Sequence, residues 1–120
     1  MNFKLKSYIY FCQDMDKMIT FYRDVFGLKV NTNGIHSLDE WAEFKGPGFS
    51  LCLHRSPSPA FQGRNKNKLV FEVDDVGKAR DYLISNKVKM GKHHKWDVGD
   101  ACDGKDPEGN KFQISSPKKM

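Results

Sequence analysis

Cys52 and His54 stand two residues apart at the end of one apolar run, and Lys68 and Glu72 bracket another. A thiol, an imidazole, an ammonium and a carboxylate are groups that attack, carry protons and hold anions near neutral pH. Residues an even number apart on a strand share a face, so each pair would present its groups to one side. His54 would act as acid, base or hydrogen-bond partner of a substrate, or simply end a strand half in solvent. Cys52 would be a nucleophile if Lys68 or His54 acidified it, and otherwise a small core filler. Glu72 as a general base needs burial to hold its proton more tightly, whereas an ion pair with Lys68 would loosen it. Lys68 would hold a carboxylate or phosphate on a cleft wall, or else snorkel to the rim or pair with Glu72. Trp41 and Glu43 share one face of a further run, with Phe61 in a linker. Such aromatics stack on a flat organic ligand or make core or dimer contacts. His93, His94 and Trp96 fall in a connecting segment, where adjacent histidines rarely complete a metal site alone.

Elements must position these groups, and the chain has 120 residues to build them, enough for one domain with a real core. Nine Phe, four Tyr and two Trp supply large side chains to an apolar fraction of 38%, and 29% charged residues suit a solvated surface. The net charge of +5 is spread along the chain and alternates with acidic residues instead of forming a stripe, which argues against nucleic acid. No apolar run reaches the roughly 18 residues that span a bilayer, and the first residues lack a secretory pattern, so a cytoplasmic protein without membrane contact is expected. Cys12, Cys52 and Cys102 are odd in number and widely spaced, which predicts reduced thiols.

Residues 5–12 read as a strand, and Asp14 caps a helix over 15–26 that carries Met15, Met18, Ile19, Tyr22 and Phe26 on one stripe and stops at Gly27. Strands follow over 28–30, 38–45 and 49–54, the last after the turn Gly46-Pro47-Gly48. A linker over 56–67 is rich in Ser, Pro, Asn and basic residues. A second unit then repeats the pattern: strand 69–73, cap Asp75, a helix from Val76 to about Asn86, and strands 88–90, 98–103 and 111–115. Both halves are βαβββ modules, at about 1–55 and 68–116, in a single domain spanning 1–120.

Sliding the chain against itself until Asp14 falls on Asp75 makes the repeat explicit, because Phe21 then falls on Tyr82, Gly48 on Gly109 and Leu53 on Ile114. One compensating slip is required between Gly27 and the end of the second helix. The fold class is therefore α+β, two repeated modules whose mixed sheets form a concave cleft with the helices outside. Strand parity turns Ser7, Ile9 and Phe11, then Ser50, Cys52 and His54, toward the cleft. It turns Lys68, Val70 and Glu72, then Lys111, Gln113 and Ser115, the same way.

The run Cys12-Gln-Asp-Met-Asp-Lys-Met-Ile-Thr-Phe-Tyr-Arg-Asp-Val-Phe-Gly-Leu-Lys-Val30 resembles the first helix of the glyoxalase, bleomycin-resistance and extradiol dioxygenase (vicinal oxygen chelate) superfamily. Phe71-Glu-Val-Asp-Asp-Val76 is similar to its counterpart in the second module. Lys105-Asp-Pro-Glu-Gly-Asn-Lys-Phe-Gln-Ile114 is similar to the turn that leads into that family's last strand. In metal-using members the resemblance implies one ligand from the first and one from the last strand of each half, which here fall on Ser7, Cys52, Lys68 and Gln113. The offset of the internal repeat relates the same four positions pairwise. An ammonium repels a divalent cation, and Ser and Gln are weak donors, so no metal and no cofactor are expected.

Members of this size resemble the antibiotic-binding branch, and the resemblance implies a homodimer. The expected function is metal-free binding of a small organic ligand, anionic or aromatic, by Ser7, Phe11, Trp41, Glu43, Cys52, His54, Lys68, Glu72 and Gln113. The alternative is a glyoxalase- or epimerase-type enzyme using His54 and Glu72, with an off-pattern metal recruited through His36, Glu43 or His54. A third is a partner-binding domain with a vestigial cleft.

Overall fold

A computed structural model describes residues 1–31, 38–56, 58 and 66–118. The chain divides into two compact units, Met1–Phe61 and Gln62–Met120, a division close to the repeat found in the sequence. His36, Phe61 and most of the linker lie outside the described residues.

In the first unit, β1 (Ser7–Cys12) leads through Asp14 into helix α1 (Met15–Thr20). Asp14 Oδ1 accepts from the Lys17 backbone N–H at 3.0 Å, satisfying a donor that the first helical turn leaves free. The helical path continues to Val25, but its last turn widens into π geometry over Phe21–Val25. Gly27 then takes the left-handed conformation that ends it, at φ 72°, where a glycine carries no steric penalty. β2 (Trp41–Lys45) and β3 (Ser50–Arg55) complete a three-stranded mixed sheet of order β1-β3-β2, with β1 parallel and β2 antiparallel to β3. The strand expected at 28–30 is reduced to a single antiparallel bridge, Val30 to Phe44. Three residues before a long connection offer too few ladder bonds to hold a full strand.

Tyr10, Cys12, Met18, Ile19, Tyr22, Ala42, Phe44 and Leu53 are all buried and form the core between sheet and helix. Every second strand residue contributes, which is why the pattern was readable from alternation. The other face carries Ser7, Ile9 and Phe11 on β1, Trp41 and Glu43 on β2, and Ser50, Cys52 and His54 on β3.

In the second unit, β4 (Leu69–Glu72), α2 (Val76–Ser85), β5 (Lys89–Trp96), β6 (Gly99–Lys105) and β7 (Lys111–Pro117) form a four-stranded mixed sheet of order β4-β7-β6-β5 backed by α2. Asp75 Oδ1 caps α2 by accepting from the Lys78 N–H at 2.9 Å, repeating the role of Asp14. Val76, Leu83, Val88, Cys102, Phe112 and Ile114 are buried in this unit's core. The α+β class thus holds in each unit, with the βαβββ module complete in the second and its second strand reduced to one bridge in the first.

β5 corrects the sequence reading. Expected to stop near residue 90, it runs to Trp96, so His93, His94 and Trp96 belong to an edge strand and not to a loop. Its lysines and histidines hide the strand period, because an edge strand exposed over most of its length needs little apolar alternation. A bulge interrupts it: Gly91 and Lys92 together oppose Asp103 between the pairs Met90 to Gly104 and His93 to Cys102. No helix among the described residues is long and apolar enough to cross a membrane.

Candidate functional site

The open face of the first sheet is built in cross-strand rows. β1 and β2 both pair with β3, and their registers place Phe11 and Trp41 on either side of His54, and Ile9 and Glu43 on either side of Cys52. In the first row the His54 ring lies 5.2 Å from Phe11, tilted by 35°, and 5.6 Å from Trp41, edge to face. Phe11 is 57% exposed, so this row is an aromatic surface that water reaches. An aromatic side chain left in water beside an imidazole and an indole offers a stacking platform for a planar ligand. The structure thus brings together Phe11, Trp41 and His54, three of the residues picked from sequence.

The second row differs at its centre. Cys52 is only 2% exposed. Burial pushes its thiol above the ordinary 9.0, with the negative charge of Glu43 adding to the rise, since both disfavour a thiolate. Hydrogen bonding with Ser7 and the charge of Lys6 pull the other way and do not cancel it. This is the reverse of what a thiolate nucleophile needs, so the environment makes Cys52 a core filler. Glu43 is fixed by Asn31, whose Nδ2 donates to Oε1 at 2.9 Å.

In the second unit the corresponding face carries Val70, Gln113 and Asp103 in one row. Lys68 reaches across it: Nζ donates to both carboxylate oxygens of Asp103, at 3.1 and 3.0 Å, and Gln113 Nε2 donates to Oδ1 at 3.2 Å. The expected pairing of Lys68 with Glu72 is therefore corrected. Four residues of strand separate them by roughly 13 Å, whereas two strand spacings of about 4.8 Å bring Asp103 within a lysine's reach. Glu72 is left exposed at the end of β4, opposite Ser115.

Asp103 was missed in the sequence. The signal was there in the repeat: Glu43 faces Cys52 as Asp103 faces Gln113. The turn before β7 has one more residue than the turn before β3, so the third strands match at an offset one shorter than the rest. The slide that sets Asp14 on Asp75 therefore put Glu43 on Gly104. His93 was likewise placed only by the structure, with Nε2 2.8 Å from Asp100 Oδ2 on the α2 side of β5 and β6.

Ser7 and Cys52 lie together in the first unit, and Lys68 and Gln113 in the second; these are the positions where the resemblance implies metal ligands. Their chemistry does not fit a metal. The Lys68 ammonium is committed to Asp103 and the Cys52 thiol is held protonated, while Ser and Gln are weak neutral donors. No three His, Cys, Asp or Glu side chains among the described residues gather as a metal cluster.

The α+β units, each a small mixed sheet with a helix on one face, are those of a known class. Residues 4–114 match the model of the Glyoxalase/Bleomycin resistance protein/Dioxygenase superfamily, and the chain belongs to that family. Among solved structures it is similar to TnmS3, an antibiotic binding protein from Streptomyces sp. CB03234, with 21% identity over 98% of both chains and a TM-score of 0.79. It is also similar to FosX, a genomically encoded fosfomycin resistance protein from Listeria monocytogenes, with 18% identity over 98% of this chain and 96% of that one, TM-score 0.78. Lactoylglutathione lyase from Agrobacterium tumefaciens follows at 20% identity, covering 93% and 92%, TM-score 0.72. No curated protein matches the chain. At these identities the likeness concerns the fold.

Proposed function

We propose that this protein binds a small planar organic molecule without a metal, stacking it on the Phe11, His54 and Trp41 row of its first sheet. The observation that carries the reading is that water-exposed aromatic row, with ring spacings of 5.2 Å and 5.6 Å, a surface suited to offset and edge-to-face contact. The unsuitability of Ser7, Cys52, Lys68 and Gln113 as metal donors supports it, as does the resemblance to an antibiotic binding protein. The same reading has the protein working as a cytoplasmic homodimer, in keeping with three buried thiols that form no disulfide and with the family's habit. Ser7, Glu43, Cys52, Lys68, Glu72 and Gln113 then shape and charge the open faces and do no chemistry.

The test is a thermal-shift screen with planar aromatic antibiotics, followed by calorimetry on the hits. Trp41→Ala and Phe11→Ala should each weaken binding by about tenfold, a loss near that of one good stacking contact, with the fold intact by circular dichroism. A panel that never raises the melting temperature, or hits that ignore both substitutions, would rule the reading out. Light scattering of the purified protein reports the dimer.

A further inference from the structure

The second sheet carries a row of like charge. Lys89 faces Lys105 across β5 and β6, and Lys105 faces Lys111 across β6 and β7, so three ammonium groups occupy adjacent cross-strand positions on the face opposite α2. Directly opposed like charges destabilise a sheet, and a row of three is an arrangement that stability alone does not favour. All three lysines are exposed, and among the described residues none forms an ion pair. Asp103, two residues from Lys105 on the same face, is already taken on both oxygens by Lys68.

A cavity of about 330 Å³ is lined by these three lysines with Met90, Gly91, Asp103 and Gly104. The β5 bulge contributes Gly91 to that wall, opposite Asp103. Bulges commonly re-aim strands beside sites, and this one brings a residue without a side chain to the cavity. The volume falls at the small end of the range for organic ligands. The wall therefore combines three cations that form no ion pair among the described residues, the Asp103 carboxylate that Lys68 already engages, and lysine methylene stems beside two glycines, while the Met90 thioether turns to the other face, over Gly104.

We infer that this cavity is a binding site for a phosphate monoester on a small apolar body, with Lys89, Lys105 and Lys111 holding the oxyanion and their methylene stems, with Gly91, the body. A doubly charged oxyanion relieves the repulsion among three ammonium groups and accepts a charge-assisted hydrogen bond from each. The inference concerns the second unit alone and does not depend on the aromatic row of the first.

Phenyl phosphate and inorganic phosphate are the probes, titrated into the isotope-labelled full chain and followed by backbone amide shifts. Phenyl phosphate should move the Gly91 and Gly104 amides saturably, bind at least about fivefold tighter than inorganic phosphate, and weaken as salt screens the lysines. Lys105→Gln with Lys111→Gln should cost about tenfold or more in affinity. Lys78→Gln with Lys95→Gln, which removes the same net charge elsewhere, should change affinity by less than about twofold. Absence of saturation, equal losses in the two double variants, or equal affinity for the two phosphates would each overturn the assignment.

Discussion

Lys68 and Asp103 meet two strands apart, and the lysine nitrogen holds both carboxylate oxygens at once. Their side chains remain 36% and 39% exposed, so water screens the pair and its worth is that of a surface contact. Asp103→Ala should cost about 1 kcal/mol or less in urea unfolding, part of it from the freed Gln113 amide. The same substitution removes the carboxylate beside the lysine row and should tighten phenyl phosphate binding. A loss above about 3 kcal/mol would mean that the pair acts as a buried one.

The thiols make a pH prediction. Burial is the largest cause raising both Cys52 and Cys102 above 9.0. A group that holds its proton more tightly when folded stabilises the protein below its unfolded value, and that contribution fades as pH rises toward the folded value. Stability should therefore fall above about pH 9, and the slope should lessen in Cys52→Ala with Cys102→Ala. A disulfide-exchange reagent at about pH 8 should react with the native protein far more slowly than with the urea-unfolded chain, because all three cysteines are buried.

Gly104 is glycine because of its neighbours. A Cβ there would approach Met90 Sδ and Phe112 Cζ to 2.5 Å each. Methionine can swing aside but Phe112 is fully buried, so Gly104→Ala should destabilise by about 1–3 kcal/mol through overpacking. Differential scanning calorimetry reads the drop. Adding Met90→Ala should recover only part of it, since the aromatic contact persists.

The lysine row predicts a stabilising substitution. Lys105→Glu places a carboxylate between Lys89 and Lys111 and turns two repulsive cross-strand pairs into attractive ones. Thermal unfolding at low salt should move upward, by an amount corresponding to about 0.5 kcal/mol, and the gain should shrink in about 1 M salt. The variant should also lose phenyl phosphate binding.

The parts of this fold that were legible in the sequence are those with a local physical cause. Asp14 and Asp75 announce their helices because a carboxylate just before an apolar stripe has one good use, and both cap as expected. Strand parity separated Tyr10 and Cys12 from Ile9 and Phe11 because one side is buried and the other is not. What could not be read depended on partners distant in sequence. Lys68 chose Asp103 over Glu72 only because β4, β7 and β6 are neighbours, an order that no local pattern encodes. β5 was cut short because charge covers its length, and Asp103 was overlooked because a single extra turn residue shifts the repeat.

The bulge at Gly91 and Lys92 acts as a switch of parity. Before it, odd-numbered Lys89 shares a face with Lys105; after it, even-numbered His94 and Trp96 lie on that same face, stacked on each other with ring centres 5.4 Å apart. Regular alternation through the same residues, without the bulge, would turn the distal half of β5 inside out. His93 would leave Asp100 and point to the open face, while the indole of Trp96 would be driven toward α2. A single backbone residue with almost no chemistry of its own thus decides which side chains this edge offers to solvent and which to the helix.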